Sequence, residues 1–142
     1  MKNRKYDIHK AAGIIIVERK LLVTREKEMD FFVSPGGRLE AGETSQDALV
    51  RELYEEIGVV VDKSDLIEFG TFYAQASGNF NKTLRIDVFN VLTWKGQPRP
   101  CSVKEMIEEI LWLDTRIASE VKVGSIFEHE VIPRLKKLDL ID

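Results

Sequence analysis

This 142-residue sequence has no net positive charge, and cysteine and long apolar runs are scarce in it. Its 21 lysine and arginine residues are outnumbered by 24 acidic residues, so no general basic field exists to attract a long nucleic acid. Cys101 is the one cysteine, which excludes an internal disulfide and a multi-cysteine zinc site. The longest apolar run, Ala11 to Val17, is too short to span a bilayer, and Met1 to Lys10 lack the apolar core of a signal peptide. We therefore expect a cytoplasmic protein with neither a membrane nor a long nucleic acid as its partner.

The rest of the composition fits one α/β domain. Hydrophobic residues make up 44% of the chain, which is enough for a single core. Runs rich in β-branched, aliphatic and aromatic residues predict strands at 11–17, 21–24, 31–33, 66–76, 83–94 and 107–113. Helices are predicted at 45–57 and from Ser125 to about Leu138, with a kink at Pro133. The first two strands form a hairpin, and Pro35-Gly36-Gly37 predicts a turn. This order of elements predicts α/β layers around a mixed sheet.

Residues 45–57 give the clearest helix prediction in the sequence. Thr44 is a favourable N-cap residue, and Gly58 stands where a left-handed residue commonly ends a helix. At about 100° per residue, one arc of the helix is apolar and contains Leu49, Val50, Leu53, Tyr54 and Ile57. The opposite arc is predicted to carry Glu52, Glu55 and Glu56, which are neighbours at spacings of three and four residues.

The three glutamates are close enough to repel one another. Like charges at these spacings cost roughly a few tenths of a kcal/mol per pair on an exposed helix. Arg51 is one nearby cation against three anions. A hard divalent cation would offset the repulsion, and carboxylate oxygens suit Mg²⁺ or Mn²⁺ better than zinc. The alternative interpretation is an ordinary solvated acidic face.

The loop before the helix favours the metal interpretation. Gly36 and Gly37 permit close approach of the backbone, so that a main-chain carbonyl can join the metal ligands. Arg38 and Arg51 are placed to contact phosphate oxygens or to hold Glu43. The segment therefore predicts a metal site that faces a phosphate group.

Residues 37–59 resemble the Nudix box over its full length. The pattern is G-x5-E-x7-R-E-U-x-E-E-x-G-U, where U is a bulky aliphatic residue. Here it reads Gly37, Glu43 and then Arg51-Glu52-Leu53-Tyr54-Glu55-Glu56-Ile57-Gly58-Val59, and all nine specified positions match. The apolar strand at 12–17, Ser34-Pro35-Gly36 and the strand around Trp112 are also similar to Nudix proteins. The resemblance covers most of the chain and indicates one domain over residues 1–142.

The Nudix resemblance implies a fold, a reaction and roles for single residues. The fold is an α/β/α sandwich around a mixed sheet, and the reaction is metal-dependent hydrolysis of a nucleoside diphosphate linked to another group. Glu52 and Glu56 would be the main ligands of Mg²⁺, for which Mn²⁺ can substitute. Glu55 would be a further ligand or would orient the attacking water, and the Gly37 carbonyl would be a backbone ligand. The resemblance further implies a Glu43–Arg51 salt bridge, places Arg38 near the phosphates and leaves a homodimer open.

The general base is the point at which the chain departs from the family pattern. Many Nudix proteins add an acid from the loop before the late tryptophan-containing strand. Spacing from Trp112 places that position at Met106, which cannot act as a base. Glu105 is adjacent and is the candidate for this role beside Glu55, whereas Glu108 and Glu109 can equally be surface charges at the strand edge.

Residues that would bind the nucleoside are less evident. Phe80, beside an apparent loop, is available for stacking on a base, and Arg85 is a candidate for the mouth of the site. Mutator-type Nudix enzymes that remove oxidised purine triphosphates often have an asparagine near the start of the last helix. Glu128 stands there, which argues against oxidised guanine. The first hypothesis is a small mutator-like Nudix enzyme that hydrolyses a (deoxy)nucleoside triphosphate to the monophosphate and pyrophosphate. The alternatives are an ADP-ribose or nucleotide-sugar pyrophosphatase and a nucleotide sensor without activity.

We predict that Glu52→Gln or Glu56→Gln abolishes turnover while the fold survives. Each change removes a negative charge from the expected metal site without a large change in volume. Turnover is measured with Mg²⁺ and the fold by circular dichroism. Full activity of either purified variant, or of the wild type in EDTA, would contradict the metal interpretation.

Overall fold

The computed structural model describes residues 6–75, 81–101, 106–116 and 121–142. Within these ranges the strands are β1 (Ile8–Ile14), β2 (Ile16–Val17), β3 (Lys20–Glu26), β4 (Gly36–Arg38), β5 (Leu66–Gln75), β6 (Thr83–Val91) and β7 (Ile107–Leu113). Helix α1 spans Ser45–Ile57, and a 3₁₀ turn spans Lys63–Asp65. The last helix consists of a π-helical part, Phe127–Val131, and α2 (Ile132–Lys137).

The strands form two sheets, and the first apolar stretch of the sequence contributes one strand to each. One sheet has the order β4-β1-β6-β5, and the other has the order β2-β3-β7. The first sheet is mixed, as predicted, because β1 and β6 are parallel whereas β4 and β5 pair antiparallel with their neighbours. The predicted first strand is divided at Ile15, where the chain passes from the mixed sheet to pair with β3.

Side chains on the two faces of the mixed sheet enter two different cores. Ala11, Ile15 and Phe89 pack with Leu49, Leu53 and Ile57 of α1. Ala12, Ile86 and Val88 face the other way and pack with Phe127, Val131 and Leu135 of the last helix. Helices therefore cover both faces, because successive residues of a strand point to opposite sides. None of the helices in the described ranges has the length and apolarity needed to cross a membrane.

The glycines before α1 lie in a strand, which corrects the predicted turn. Gly36 and Gly37 belong to β4 and pair with Ala12 and Ala11 of β1. A Cβ atom at Gly36 would lie 2.0 Å from the carbonyl oxygen of Ala11. Glycine is needed here because two backbones approach closely. The predicted strand at 31–33 is reduced to isolated bridges, one of which joins Val33 to Thr24.

Helix α1 has the predicted bounds but a different buried face. Thr44 caps it through a reciprocal pair of hydrogen bonds with Asp47, and Gly58 ends it at a φ of 72°. Glu52 and Glu56 are each 6% exposed, whereas Tyr54 is 54% exposed. The two glutamates lie beside the apolar stripe and not opposite it, because residues seven apart, such as Leu49 and Glu56, differ by only about 20° around a helix.

A buried carboxylate connects the first turn of α1 to the sheet. Asp87 of β6 accepts hydrogen bonds from the hydroxyls of Ser45 and Thr71, contacts His9 Nε2 at 2.6 Å, and accepts from Arg85 Nε at 3.1 Å. Burial opposes ionisation of Asp87, but these hydrogen bonds outweigh it and hold the pKa of the carboxyl at about 2. Since its ordinary pKa is 3.8, the stabilisation is complete above that value and is lost as the pH falls toward about 2.

We expect Asp87→Asn to lower the free energy of unfolding at neutral pH by on the order of 2 kcal/mol, the equivalent of the pKa shift. The variant should also lose less stability than the wild type between about pH 4 and pH 2. Urea unfolding followed by circular dichroism across this range measures both effects. Asp114→Asn is the control, because Asp114 pairs with Arg116 at the surface and should contribute less. An equal effect of the two substitutions would show that the buried network does not anchor α1.

Candidate active site

Arg51 joins the loop before α1 to the carboxylates on the helix. Its Nε and Nη2 donate to the two carboxylate oxygens of Glu43, each at 2.8 Å. Its Nη1 donates to Glu52 Oε1 at 2.6 Å and to Glu55 Oε2 at 3.3 Å. The hydrogen bond between Arg51 and Glu43 is the main cause of a raised pKa for the guanidinium and a lowered pKa for the carboxyl. The expected Glu43–Arg51 pair is therefore present and holds the loop on the helix.

Gly37 lies directly against the carboxylate of Glu52. A Cβ atom at position 37 would be 2.6 Å from Glu52 Cδ and 2.8 Å from each carboxylate oxygen. Real Cβ atoms do not approach other atoms so closely, so a side chain here would displace the carboxylate. Glycine at this position allows the main chain of β4 and the side chain of Glu52 to face the same small space.

Hydrogen bonds hold both the side chain and the backbone of Glu56. Its Oε1 accepts a hydrogen bond from the Gly36 amide at 2.7 Å, and its backbone carbonyl accepts one from the Cys101 amide at 2.9 Å. A carboxylate that is 6% exposed and bonded to a backbone amide has little freedom to rotate. Helix α1 and strand β4 together thus position Glu52 and Glu56 side by side.

The carboxylate oxygens of Glu52, Glu55 and Glu56 are suitable ligands for a hard divalent cation. In this structure they form hydrogen bonds with Arg51 and with the Gly36 amide. Among the described residues, no three acidic, histidine or cysteine side chains are already placed as ligands of one metal ion. Arg51 Nη1 donates to one carboxylate oxygen of Glu52 and to one of Glu55, while Nε donates to Glu43. The glutamates offer only oxygen, and Gly37 leaves space beside Glu52.

A cavity of about 1020 Å³ opens in front of these carboxylates. Glu52, Glu55 and Glu56 line it together with the backbone of β4, and this side is polar. The remaining walls include apolar residues of the segment before β4, of β6 and of the last helix. The volume and the division into a charged and an apolar part suit a small organic anion.

Comparison with known proteins identifies the family. The NUDIX domain profile matches residues 7–135. The chain belongs to the Nudix family. An 8-oxo-dGTP diphosphatase of Haemophilus influenzae is 38% identical over 96 residues, which cover 64% of this chain and 67% of that protein. An ADP-ribose pyrophosphatase of Methanocaldococcus jannaschii is 36% identical over 73 residues, which cover 47% of this chain and 43% of that protein.

The Nudix fold is supported independently by solved structures. The crystal structure of a MutT protein from Methanosarcina mazei matches with a TM-score of 0.74 at 17% identity, covering 93% of this chain and 94% of that one. The predicted α/β/α sandwich and the mutator-like type are thereby confirmed, and the chain is a Nudix pyrophosphohydrolase. Its box residues, Gly37 to Val59, are the segment that builds the charged end of the cavity.

Arg85, a predicted site residue, does not line this cavity. It bonds Asp87 and lines a separate cavity of about 330 Å³ near the first turn of α1. The reason is the alternation of β6, in which Leu84 and Ile86 face the Nudix site and Arg85 faces the opposite side. The placement of Arg85 at the substrate mouth is therefore corrected, whereas Arg38 does line the cavity.

Phe80 and Glu105 lie outside the described residues, so their predicted roles stay predictions. Met106, the position that spacing from Trp112 predicts for the additional acid, lines the cavity. Glu109 pairs with Arg25 at 3.3 Å across β3 and β7 and is a surface charge. Glu55 is the candidate base that the structure places at the site, where it bonds Arg51.

Lys10 and Ser34 line the cavity and were not identified from the sequence. Lys10 lies directly opposite Arg38 in the β1–β4 pair and two residues before the buried Ala12. Period-two alternation along β1 was the available signal, because Lys10 must share a face with Ala12. The similarity of Ser34-Pro35-Gly36 to Nudix proteins includes Ser34 but does not indicate a role for its side chain, since a serine before proline and glycine is common in any turn.

We expect Gly37→Ala to reduce turnover strongly while changing the melting temperature little. The backbone of Gly37 is accessible to alanine, but the new Cβ would displace the Glu52 carboxylate. Gly42→Ala is the matched control in the same loop, because nothing lies within 4 Å of its Cβ position although its φ is +83°. That control should lose about 1 kcal/mol of stability through backbone strain and keep its turnover. Equal turnover of both variants would show that the Gly37–Glu52 contact does not matter for catalysis.

Proposed function

We propose that this Nudix pyrophosphohydrolase hydrolyses nucleoside or deoxynucleoside triphosphates to the monophosphate and pyrophosphate, with Mg²⁺ as its metal. One observation carries the proposal. Glu52 and Glu56 are buried against the backbone of β4 at the charged end of a cavity large enough for a nucleotide. The similarity to 8-oxo-dGTP diphosphatases supports a triphosphate as substrate. The match over residues 7–135 supports one Nudix unit, and location in the cytoplasm and a homodimer stay predictions.

The carboxylates at the charged end would hold the metal. Glu52, Glu55 and Glu56 provide the side-chain oxygens, and the Gly37 carbonyl provides a main-chain oxygen. When bound, Mg²⁺ supplies neutralisation of the phosphate charge and lowers the pKa of a coordinated water. Mn²⁺, with a similar preference for oxygen, can substitute.

Side chains of the protein itself would position the loop, accept the proton and exclude water. Arg51, through Glu43, keeps the loop on α1 and so maintains the spacing between β4 and the glutamates. Glu55 is 21% exposed at its side chain, so it reaches the cavity and can accept a proton from the attacking water. Glu105 is the alternative base. The apolar walls exclude bulk water from the nucleoside end and strengthen the electrostatic interactions at the phosphate end.

A pair of cations beside the glutamates favours a triphosphate over an ADP-ribose. Lys10 and Arg38 are directly opposite in antiparallel strands, where Cβ atoms lie roughly 4.5–5.5 Å apart and like charges destabilise the pair. Both side chains line the cavity, and within the described residues neither has an ion-pair partner. An anion between them would relieve the repulsion. A triphosphate carries more charge at this end than the diphosphate bridge of ADP-ribose.

The test is a substrate panel with Mg²⁺ that contains the standard and 8-oxo nucleoside triphosphates, ADP-ribose and nucleotide sugars. Release of pyrophosphate with nucleoside monophosphate is the expected result. Cleavage of ADP-ribose with the highest kcat/KM would instead support the relationship to ADP-ribose pyrophosphatases. Binding without turnover across the whole panel would identify a nucleotide sensor and contradict the proposal.

In the same panel, Lys10→Gln should raise the KM for triphosphates by roughly ten-fold, the equivalent of about 1.4 kcal/mol for one phosphate contact. The KM for a dinucleotide or sugar substrate should change less, because it carries less phosphate charge. Lys63→Gln is the control, since Lys63 forms its ion pair with Asp47 at the other end of α1. Equal KM values for Lys10→Gln and wild type would exclude Lys10 from phosphate binding.

A further inference from the structure

The hydroxyl of Ser34 is buried without a hydrogen-bond partner. Ser34 is 3% exposed, and within the described part of the chain its Oγ is the one buried side-chain nitrogen or oxygen that has no partner. Buried hydroxyls are nearly always bonded, because an unmade bond forfeits the hydration that the group had in water. A buried hydroxyl without a partner in the folded protein indicates that its hydrogen-bond partner is not part of the chain.

Ser34 is in the wall of the Nudix cavity, close to the metal-binding residues. It is three residues before Gly37, and three residues of extended chain span at most about 10–11 Å. Both residues line the same cavity. A nucleotide whose phosphates lie at Glu52 and Glu56 therefore extends its nucleoside to within reach of Ser34.

The surroundings of Ser34 in the cavity are mainly apolar. Phe31, Val33, Ile86, Val123 and Phe127 line the cavity with it. Aromatic and branched aliphatic walls suit the faces of a flat heterocycle, whereas a sugar carries several hydroxyls that such walls leave unpaired. The polar edge of a base then needs a hydrogen-bonding group in the wall. Ser34 offers a hydroxyl, which can donate or accept because its hydrogen rotates about the Cβ–Oγ bond.

We propose that Ser34 Oγ hydrogen-bonds the polar edge of the nucleobase and is a specificity-determining residue of this enzyme. This inference rests on the proposed function, since it requires a nucleotide in the cavity. It assigns to Ser34 a role in binding the base, separate from the role of the carboxylates in binding the metal and the phosphates.

Ser34→Ala gives effects of opposite sign on stability and on activity if Ser34 binds the base. The melting temperature should stay the same or rise, because the variant buries a methyl group in place of an unpaired hydroxyl. The kcat/KM for the best substrate of the panel should fall roughly ten-fold, mainly through KM, as one hydrogen bond to the base is lost. Inorganic triphosphate, which has no base, should inhibit the variant and the wild type with the same constant.

Thr115→Val is the matched control for loss of a buried hydroxyl. Thr115 is 8% exposed and donates to the main-chain oxygen of Asp142 at 2.5 Å, away from the cavity. This variant should have a lower melting temperature than the wild type and an unchanged kcat/KM. That result is the reverse of the one expected for Ser34→Ala.

Three results would overturn the inference. A lower melting temperature with unchanged kcat/KM in Ser34→Ala would mean that the hydroxyl serves the fold. Weaker inhibition by inorganic triphosphate would mean that the whole site is disturbed. A wild-type protein that hydrolyses no nucleotide would refute the proposed function and the role of Ser34 with it, whereas an active wild type with an equally active Ser34→Ala variant would refute only the role of Ser34.

Discussion

Two buried carboxylates next to a glycine backbone are the constraint on which the rest of this structure depends. Glu52 and Glu56 are removed from water on the inner side of α1, although each carries a negative charge. Burial of such charges is unfavourable unless hydrogen bonds or opposite charges compensate it. The Gly36 amide compensates Glu56, and Arg51 compensates Glu52. The glycines of β4 are required because any side chain at position 37 would occupy the space of the Glu52 carboxylate.

The two faces of the mixed sheet contribute to the site in different ways. On one face, Asp87 accepts hydrogen bonds from the hydroxyls of Ser45 and Thr71, and these bonds fix the first turn of α1. On the other face, the sheet forms part of the wall of the Nudix cavity together with the last helix. Helix α1 is thus held at its first turn by the sheet and along its length by Arg51 and β4. The positions of the glutamates follow from these two attachments.

The cavity itself has two chemically different ends. Its charged end combines the glutamates with Lys10 and Arg38, so it suits a metal ion together with phosphate groups. Elsewhere its walls include the apolar side chains Phe31, Val33, Ile86 and Phe127 together with the buried hydroxyl of Ser34. A nucleotide has the same division into an anionic chain and a flat, largely apolar ring. The distribution of charge in the cavity therefore agrees with the reaction of the family.

The sequence by itself determined the family, the bounds of α1 and the Nudix box with its three glutamates, because these depend on residue types at fixed local spacing. Thr44 and Gly58 act through hydrogen bonds within α1 and at its two ends. Which residues share a cavity was decided by strand pairing and by the alternation of faces, which involve residues far apart in the chain. For that reason Arg85 turned out to bond Asp87, Gly36 proved to be part of a strand, and Lys10 and Ser34 were recognised only in the folded chain. Local rules predict an element, whereas long-range pairing decides which side chains meet in space.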